Sequence, residues 1–217
     1  MLLRAPGVYR PQLDTWLLVR ALSEAGVPRG AEALDVCTGT GALAVAAARA
    51  GAATVTAVDV SRAAAVSAWL NCRVRGIDVE VLRGDFAAVL GRRSFDLVVA
   101  NPPYVPAPEG AASRGSARAW NAGTRGRAVL DQLCAALPAL LRPRGMALIV
   151  HSVLCDPDAT LAGLRENELK AAIVARATAP FGPVLRRRAD WLAAAGLIEP
   201  GQRMEDLVVI RADRIRP

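Results

Sequence analysis

Residues 33–59 read ALDVCTGTGALAVAAARAGAATVTAVD. The stretch opens on five residues of a buried strand, turns through Cys37-Thr38-Gly39-Thr40-Gly41, runs as an alanine-rich helix over 42–50, and ends in a second apolar β-branched run, 54–58, closed by Asp59. A strand, a glycine turn, one helix and another strand make a right-handed parallel crossover, the unit of a sheet covered on both faces. The turn glycines let main chain come close to a ligand with no Cβ in between. Taken alone, such a turn is as well explained by the packing of a strand into a helix.

Working outward, the same alternation fills the chain. Upstream, residues 11–25 carry Leu13, Trp16, Leu17 and Ala21 on one stripe, an amphipathic helix opened by proline. Downstream, Ser61 caps a helix running to about residue 75, and strands are predicted at 79–82, 97–100, 146–150, 172–177 and 207–211. Helices are expected at 127–141, 158–169 and 184–195, the first closed by Pro143-Arg144-Gly145. A Pro/Gly/Ser/Arg-rich loop spans 102–126, a length that in a compact domain goes with function or mobility. The expectation is an α/β fold with a doubly wound, mostly parallel seven-stranded sheet in one domain over 1–217, with an N-terminal helix (11–25) and a C-terminal elaboration (about 152–217). Ligands in such sheets sit beyond the carboxyl ends of the strands, so the residues just after each strand are the candidates.

Asp59 ends the second strand, where a carboxylate can accept hydrogen bonds from both hydroxyls of a ribose; Val60 follows it. Its plainer role would be to help cap the helix at Ser61. Gly84-Asp85-Phe86 follows the third strand and offers a carboxylate for an exocyclic amine beside an apolar wall. Asn101-Pro102-Pro103-Tyr104 ends the fourth and is the specific signal. Two prolines fix the backbone and leave carbonyls without a competing local N–H, and Asn101 adds a side-chain oxygen. A planar NH₂ can donate to the Asn101 oxygen and the Pro102 carbonyl together, while Tyr104 lies against the flat group. The structural alternative for Asn-Pro-Pro is a plain strand stop.

Composition narrows the partners. The chain has 217 residues, 53% of them hydrophobic, enough for one well-buried core. Neither a long uninterrupted apolar run nor a leader-like h-region is seen, so a soluble, cytoplasmic protein without a membrane partner is expected. Four scattered cysteines (37, 72, 134, 155) and one histidine, His151, supply almost no ligand set, so no metal is expected and the thiols should be free. The net charge of +7 would suit a polyanion, yet Lys170 is the sole lysine in an arginine- and alanine-rich chain, the composition of a GC-rich coding sequence. Nucleic acid is therefore not favoured, and aromatics for base stacking are sparse. Arg186-Arg187-Arg188 reads first as a solvated face, and second as a contact for an RNA-like or acidic partner.

With these residues in hand, the chain resembles the Rossmann-like class I methyltransferases that modify planar nitrogens. Val8-Tyr9-Arg10-Pro11-Gln12-Leu13-Asp14-Thr15 and Ala119-Trp120-Asn121-Ala122-Gly123-Thr124-Arg125-Gly126-Arg127 are similar to segments of the shorter release-factor glutamine N5-methyltransferases, which lack the N-terminal helical domain of longer relatives. The resemblance runs from about residue 7 to 150. Cys37 departs from it by standing where the first turn glycine is usual, and Asn121-Ala122 departs from the expected pair.

The resemblance implies transfer of methyl from S-adenosyl-L-methionine, with S-adenosyl-L-homocysteine as product, to the glutamine of a Gly-Gly-Gln loop in a peptide chain release factor. Thr15, Asp35, Cys37, Thr38, Gly39 and Gly41 would then flank the methionine part of the cofactor. Asp59 and Val60 would hold the ribose, Asp85 and Phe86 the adenine, and Asn101 to Tyr104 the acceptor amide, Asn101 lying on the cofactor side as well. A small activating subunit is a further partner the resemblance allows. The Asn-Pro-Pro-Tyr signal also fits an adenine of DNA or RNA or a small amide or amine. A non-catalytic cofactor-binding scaffold is the reading from another class.

Overall fold

The computed structural model describes residues 2–111, 117 and 119–215. Seven strands form one sheet in the order β3-β2-β1-β4-β5-β7-β6. They are β1 (Glu32–Val36), β2 (Thr54–Asp59), β3 (Val79–Arg83), β4 (Phe95–Ala100), β5 (Leu141–Ser152), β6 (Lys170–Pro180) and β7 (Met204–Asp213). β3, β2, β1, β4 and β5 pair in parallel, and β7 runs antiparallel between β5 and β6. The order reverses at β1, which lies between β2 and β4, and that reversal opens a crevice beyond the strands' carboxyl ends. The doubly wound, mostly parallel seven-stranded sheet read from the strand-helix alternation is thus present.

The helices are α1 (Leu13–Glu24), α2 (Ala42–Arg49), α3 (Arg62–Arg73), α4 (Phe86–Val89), α5 (Ala128–Leu140), α6 (Pro157–Glu166) and α7 (Pro183–Ala194). One apolar cluster gathers Leu130, Leu133 and Leu137 of α5 with Leu164 of α6 on one sheet face. A second gathers Leu18 and Leu22 of α1 with Leu43 and Ala47 of α2 on the other. The central strands are buried on both sides, which is why they read as continuous apolar runs.

Two differences from the sequence reading have local causes. Pro143-Arg144-Gly145 lies inside β5, where the pairing with β4 shifts register and Arg144 adopts φ +64°, rather than outside it as a helix stop. β6 and β7 extend well past the predicted runs because they pair with each other, and alternating polar side chains on an edge strand blur the apolar signal. The centre of the long loop, 112–116 and 118, lies outside the described residues.

Candidate active site

A cavity of about 310 Å³ opens at the reversal point. One wall is the turn after β1. Thr38 Oγ1 donates to Asp35 Oδ2 at 2.6 Å, and Ala44 N donates to the same oxygen at 2.9 Å, so Asp35 braces the turn from beneath. Asp35 is fully buried and its Oδ1 has no partner among the described residues. Burial pushes its carboxyl up to about 7, opposed by those two hydrogen bonds. Cys37 adopts φ +60°, a left-handed conformation in which a Cβ is strained. At Gly39 an added Cβ would meet nothing nearer than Cys37 O at 4.0 Å, so the open side of the turn is the cavity. Gly41 serves packing instead: a Cβ there would come within 2.9 Å of Ala68 Cα.

Asp59 holds the turn's far side, accepting from Gly39 N at 3.0 Å and Ser61 N at 2.8 Å. Burial raises its carboxyl above the usual range. Ser61 caps α3 as read from the sequence, accepting from Ala64 N at 3.3 Å. Cys37, Thr38, Gly39, Asp59 and Val60 line the cavity. Asp35, Gly41, Asp85 and Phe86 are not among its lining residues. Asp85 caps α4 through Ala87 N at 2.9 Å and accepts from Gln132 Nε2 at 3.1 Å, near enough that its charge adds to the rise of the Cys37 thiol; Phe86 is buried in the core.

The opposite wall is assembled from distant parts of the chain. Asn101, Pro102, Pro103 and Tyr104 leave β4 along the cavity. Asn101 Nδ2 donates to Asp14 Oδ2 at 3.1 Å and Thr15 Oγ1 at 3.2 Å, and Oδ1 has no partner among the described residues. Asp14 Oδ2 also accepts from Tyr9 Oη at 2.8 Å and Tyr104 Oη at 2.9 Å, and Asp14 Oδ1 accepts from Thr15 N at 2.6 Å. Burial, with the Asp14 charge, drives both phenols well above their ordinary range, so both stay donors. Thr15, given to the cofactor side by the resemblance, lines the cavity with its hydroxyl committed to Asn101 and Asp14.

The segment at 119–127 buttresses the strand end. Val105 N donates to Trp120 O at 2.8 Å and Ala107 N to Gly123 O at 3.0 Å. A Cβ on Gly126 would collide with Tyr104 O, so only glycine lets the chain approach this closely. Arg127 then bonds the carbonyls of Cys155 and Asp156. Of the arginine triplet, Arg186 and Arg187 are exposed, while Arg188 turns inward and donates to Pro106 O at 2.8 Å and Asn121 Oδ1 at 2.6 Å.

Sequence reasoning missed Asp14 as a hub and Glu205 altogether. Glu205 lines the cavity, is 8% exposed, and has one oxygen without a partner among the described residues. Burial pushes its carboxyl up to about 7, with a Ser152 hydrogen bond opposing. Asp14 lay in the Val8 to Thr15 segment with no role to be read from it, and Glu205 had no local signal, since a lone acid at a helix start or strand end is ordinary. Among the described lining residues there are carboxylates, at 14, 59 and 205, and no lysine, arginine or histidine. The four cysteines are free thiols, and His151 is buried away from the cavity.

Comparison with known proteins decides the family. The model of the methyltransferase small domain matches residues 2–115, just over half of the chain. The chain belongs to the methyltransferase small domain family. A putative protein N5-glutamine methyltransferase of Methanocaldococcus jannaschii is 30% identical over 178 residues, covering 81% of this chain and 88% of the relative. The release factor glutamine methyltransferase of Gloeobacter violaceus is 41% identical over 126 residues, covering 54% of this methyltransferase and 44% of the relative. The chain spans between 44% and 54% of the bacterial release-factor relatives it matches. Among solved structures, E. cuniculi Mtq2 in complex with Trm112, which methylates the eRF1 translation termination factor, superposes with a TM-score of 0.61 at 22% identity, covering 96% of this chain and 99% of that one.

The cofactor of this methyltransferase is S-adenosylmethionine, which supplies an electrophilic methyl group on a sulfonium. The turn after β1 fits such a group. It has an open glycine on the cavity wall and the Asp59 carboxylate, which lines the cavity and whose two oxygens keep lone pairs beyond the main-chain bonds they accept.

Proposed function

We propose that this methyltransferase N-methylates a protein glutamine side chain, in the Gly-Gly-Gln loop of a peptide chain release factor. The observation that carries the reading is the state of Asn101. Its NH₂ is consumed by Asp14 and Thr15, so the atom it offers to an acceptor is Oδ1. The partner of Oδ1 must therefore donate. Beside it the Pro102 carbonyl is a second acceptor, and an amide NH₂ has two donors in one plane. Fixing both aims the amide nitrogen, whose lone pair is delocalised and needs that help; orientation of this kind can supply about 7–11 kcal/mol of a barrier.

In this reading Asn101, Pro102, Pro103 and Tyr104 bind the acceptor group. Cys37, Thr38, Gly39, Asp59 and Val60 hold the cofactor directly, with Asp35 and Gly41 shaping the turn. The absence of any cation among the described lining residues disfavours an acceptor that brings a phosphate into the cavity. A small activating subunit belongs to the same proposal. Val66, Trp69 and Val74 of the α3 region are exposed beside the open edge of β3, an apolar patch a partner would cover.

The test is methyl incorporation from labelled S-adenosylmethionine into the organism's release factor and its Gly-Gly-Gln→Gly-Gly-Ala variant. Label on the first and none on the second is expected. Label on neither, with cofactor binding verified by calorimetry, would move the acceptor to an adenine of nucleic acid or a small amine. Cofactor binding with no methyl transfer to any of these acceptors would favour the cofactor-binding scaffold.

A further inference from the structure

We infer that Asp14 is the positioning residue that fixes which way the Asn101 side chain faces, and so decides that the cavity accepts hydrogen bonds from the methyl acceptor rather than donating to it. The inference rests on Asn101 being the acceptor-binding amide.

An asparagine amide has two nearly isosteric ends, one donor and one acceptor, and turning it by half a revolution exchanges them. Nothing in the shape of Asn101 selects between the two. The neighbours do. Asp14 is 3% exposed and its carboxylate can only accept, so the end of Asn101 facing Oδ2 at 3.1 Å must be NH₂. Thr15 Oγ1 accepts the second N–H at 3.2 Å. The carboxylate is itself held. Thr15 N, a main-chain donor that cannot reverse its role, points at Oδ1, while Tyr9 and Tyr104 donate to Oδ2 from either side. Gln12 Nε2 in turn donates to Tyr9 Oη at 3.0 Å. The first turn of α1, where Asp14 sits, favours negative charge as well.

This arrangement makes a sharp statement about an isosteric change. In Asp14→Asn the Thr15 N–H still requires an oxygen opposite it, so the new NH₂ turns toward Tyr9, Tyr104 and Asn101. The tyrosine hydroxyls can rotate and accept. Asn101 cannot keep its NH₂ against another NH₂, and turns its oxygen inward. Its donor end then faces the cavity, opposed to the N–H groups of the acceptor. Exchanging the two residues, Asp14→Asn with Asn101→Asp, repairs the polarity: the amide now at position 14 donates to one oxygen of the carboxylate now at position 101, and the other oxygen faces the cavity.

The experiment uses the full chain with asparagine labelled in ¹⁵N, the Asn101 NH₂ pair being assigned by its absence in Asn101→Asp. In the wild type the pair should be protected from exchange with water, and in Asp14→Asn it should shift and lose protection. With the release factor as acceptor, kcat should fall about 100-fold in Asp14→Asn, the scale on which misplacing a reacting group costs rate, while the cofactor dissociation constant stays within about threefold. The exchanged pair should recover about tenfold over the single variant, a rescue a merely structural role would not give. A fast-exchanging Asn101 NH₂ in the wild type would overturn the inference even if Asp14→Asn does not fold. So would a folded Asp14→Asn with kcat near wild type, or an exchanged pair no better than the single variant. The NMR reading needs no methyl acceptor, so it stands or falls apart from the proposed substrate.

Discussion

The two walls of the cavity are built in opposite ways. The wall after β1 and β2 is short-range: the turn at 37–41 is tied to Asp35 beneath it and to Asp59 at the end of the adjacent strand, and most of its bonds are to main-chain N–H groups. The wall after β4 is long-range. It joins residues 9–15, 101–105, 119–120, 179–185 and 205–207, and it is held by side chains meeting at one carboxylate, Asp14. A cofactor shared across a family can be gripped by backbone geometry that tolerates sequence change. An acceptor must be told apart from others, and that takes donor and acceptor atoms placed one by one.

The largest test of this division removes one group from each wall. Asn101→Ala deletes the oxygen proposed to face the acceptor and should lower kcat for methyl transfer about 100- to 1,000-fold, the scale seen when a transition-state hydrogen-bonding group is removed. The cofactor dissociation constant should stay within about threefold. Asp59→Ala should do the reverse, raising that constant roughly 10- to 100-fold, since hydrogen bonds to a charged group are worth about 1.5–3 kcal/mol. Calorimetry beside single-turnover rates separates the two; equal loss of cofactor affinity in both variants would erase the division.

Next in size is Arg188, which ties α7 to the loop through Pro106 O and Asn121 Oδ1. Burial lowers its pKa from the usual range without any carboxylate partner in these bonds, so its work is geometric. Arg188→Ala should raise the acceptor KM about tenfold through loss of charge-assisted bonds while leaving cofactor affinity alone, whereas Arg187→Ala, on the exposed face, should change neither. Equal effects of the two substitutions would return the whole triplet to a surface role.

A smaller effect compares the walls through pH. Asp35 beneath one and Glu205 in the other both have carboxyls raised to about 7 by burial. The folded protein therefore holds these protons more tightly than the unfolded chain, whose carboxyls titrate near 4. Their contribution is most favourable below that value, weakens as pH rises, and levels off above about 7. Between pH 5 and 8 the unliganded protein should lose Tm on their account, and Asp35→Asn or Glu205→Gln should each flatten part of that slope. Saturating S-adenosylmethionine should flatten the Asp35 part more than the Glu205 part, because the turn that Thr38 ties to Asp35 is the wall proposed for the cofactor. Equal flattening of the two parts by cofactor would merge the two walls into one electrostatic unit.

The same contrast explains what was legible in the sequence. The β1 turn, Asp59 and Asn101 to Tyr104 follow strands that announce themselves by apolar runs, so their place at the crevice could be read from order alone. Gly126-Arg127 could be recognised but not explained, because the reason for the glycine is a Tyr104 carbonyl that only the fold brings near. Asp14 lay inside a readable segment without a readable role, and Glu205 had neither, its strand extending beyond the apolar run that predicted it. The four-residue α4 gave no periodic signal, which left Asp85 without its capping role.

The smallest prediction concerns the residue where the cofactor wall departs from its own pattern. Cys37 holds φ +60°, a region costing an L-residue about 1–2 kcal/mol and glycine almost nothing. Cys37→Gly would relieve that strain, while the greater freedom of glycine in the unfolded chain takes back about 0.4–1 kcal/mol. The thiol makes no hydrogen bond among the described residues, and burial together with Asp59 and Asp35 keeps it protonated, so what else its removal loses is its partial packing against the apolar core. The net should be a gain of about 0.5 kcal/mol, read as a rise of roughly 1–2 °C in Tm, with cofactor affinity unchanged or slightly tighter. If the turn is held by backbone geometry, glycine should serve it at least as well as cysteine. A fall in Tm of more than about 2 °C would mean that the packing of the side chain at 37 against the core outweighs its strain, and that even the short-range half of the cavity depends on a chosen side chain.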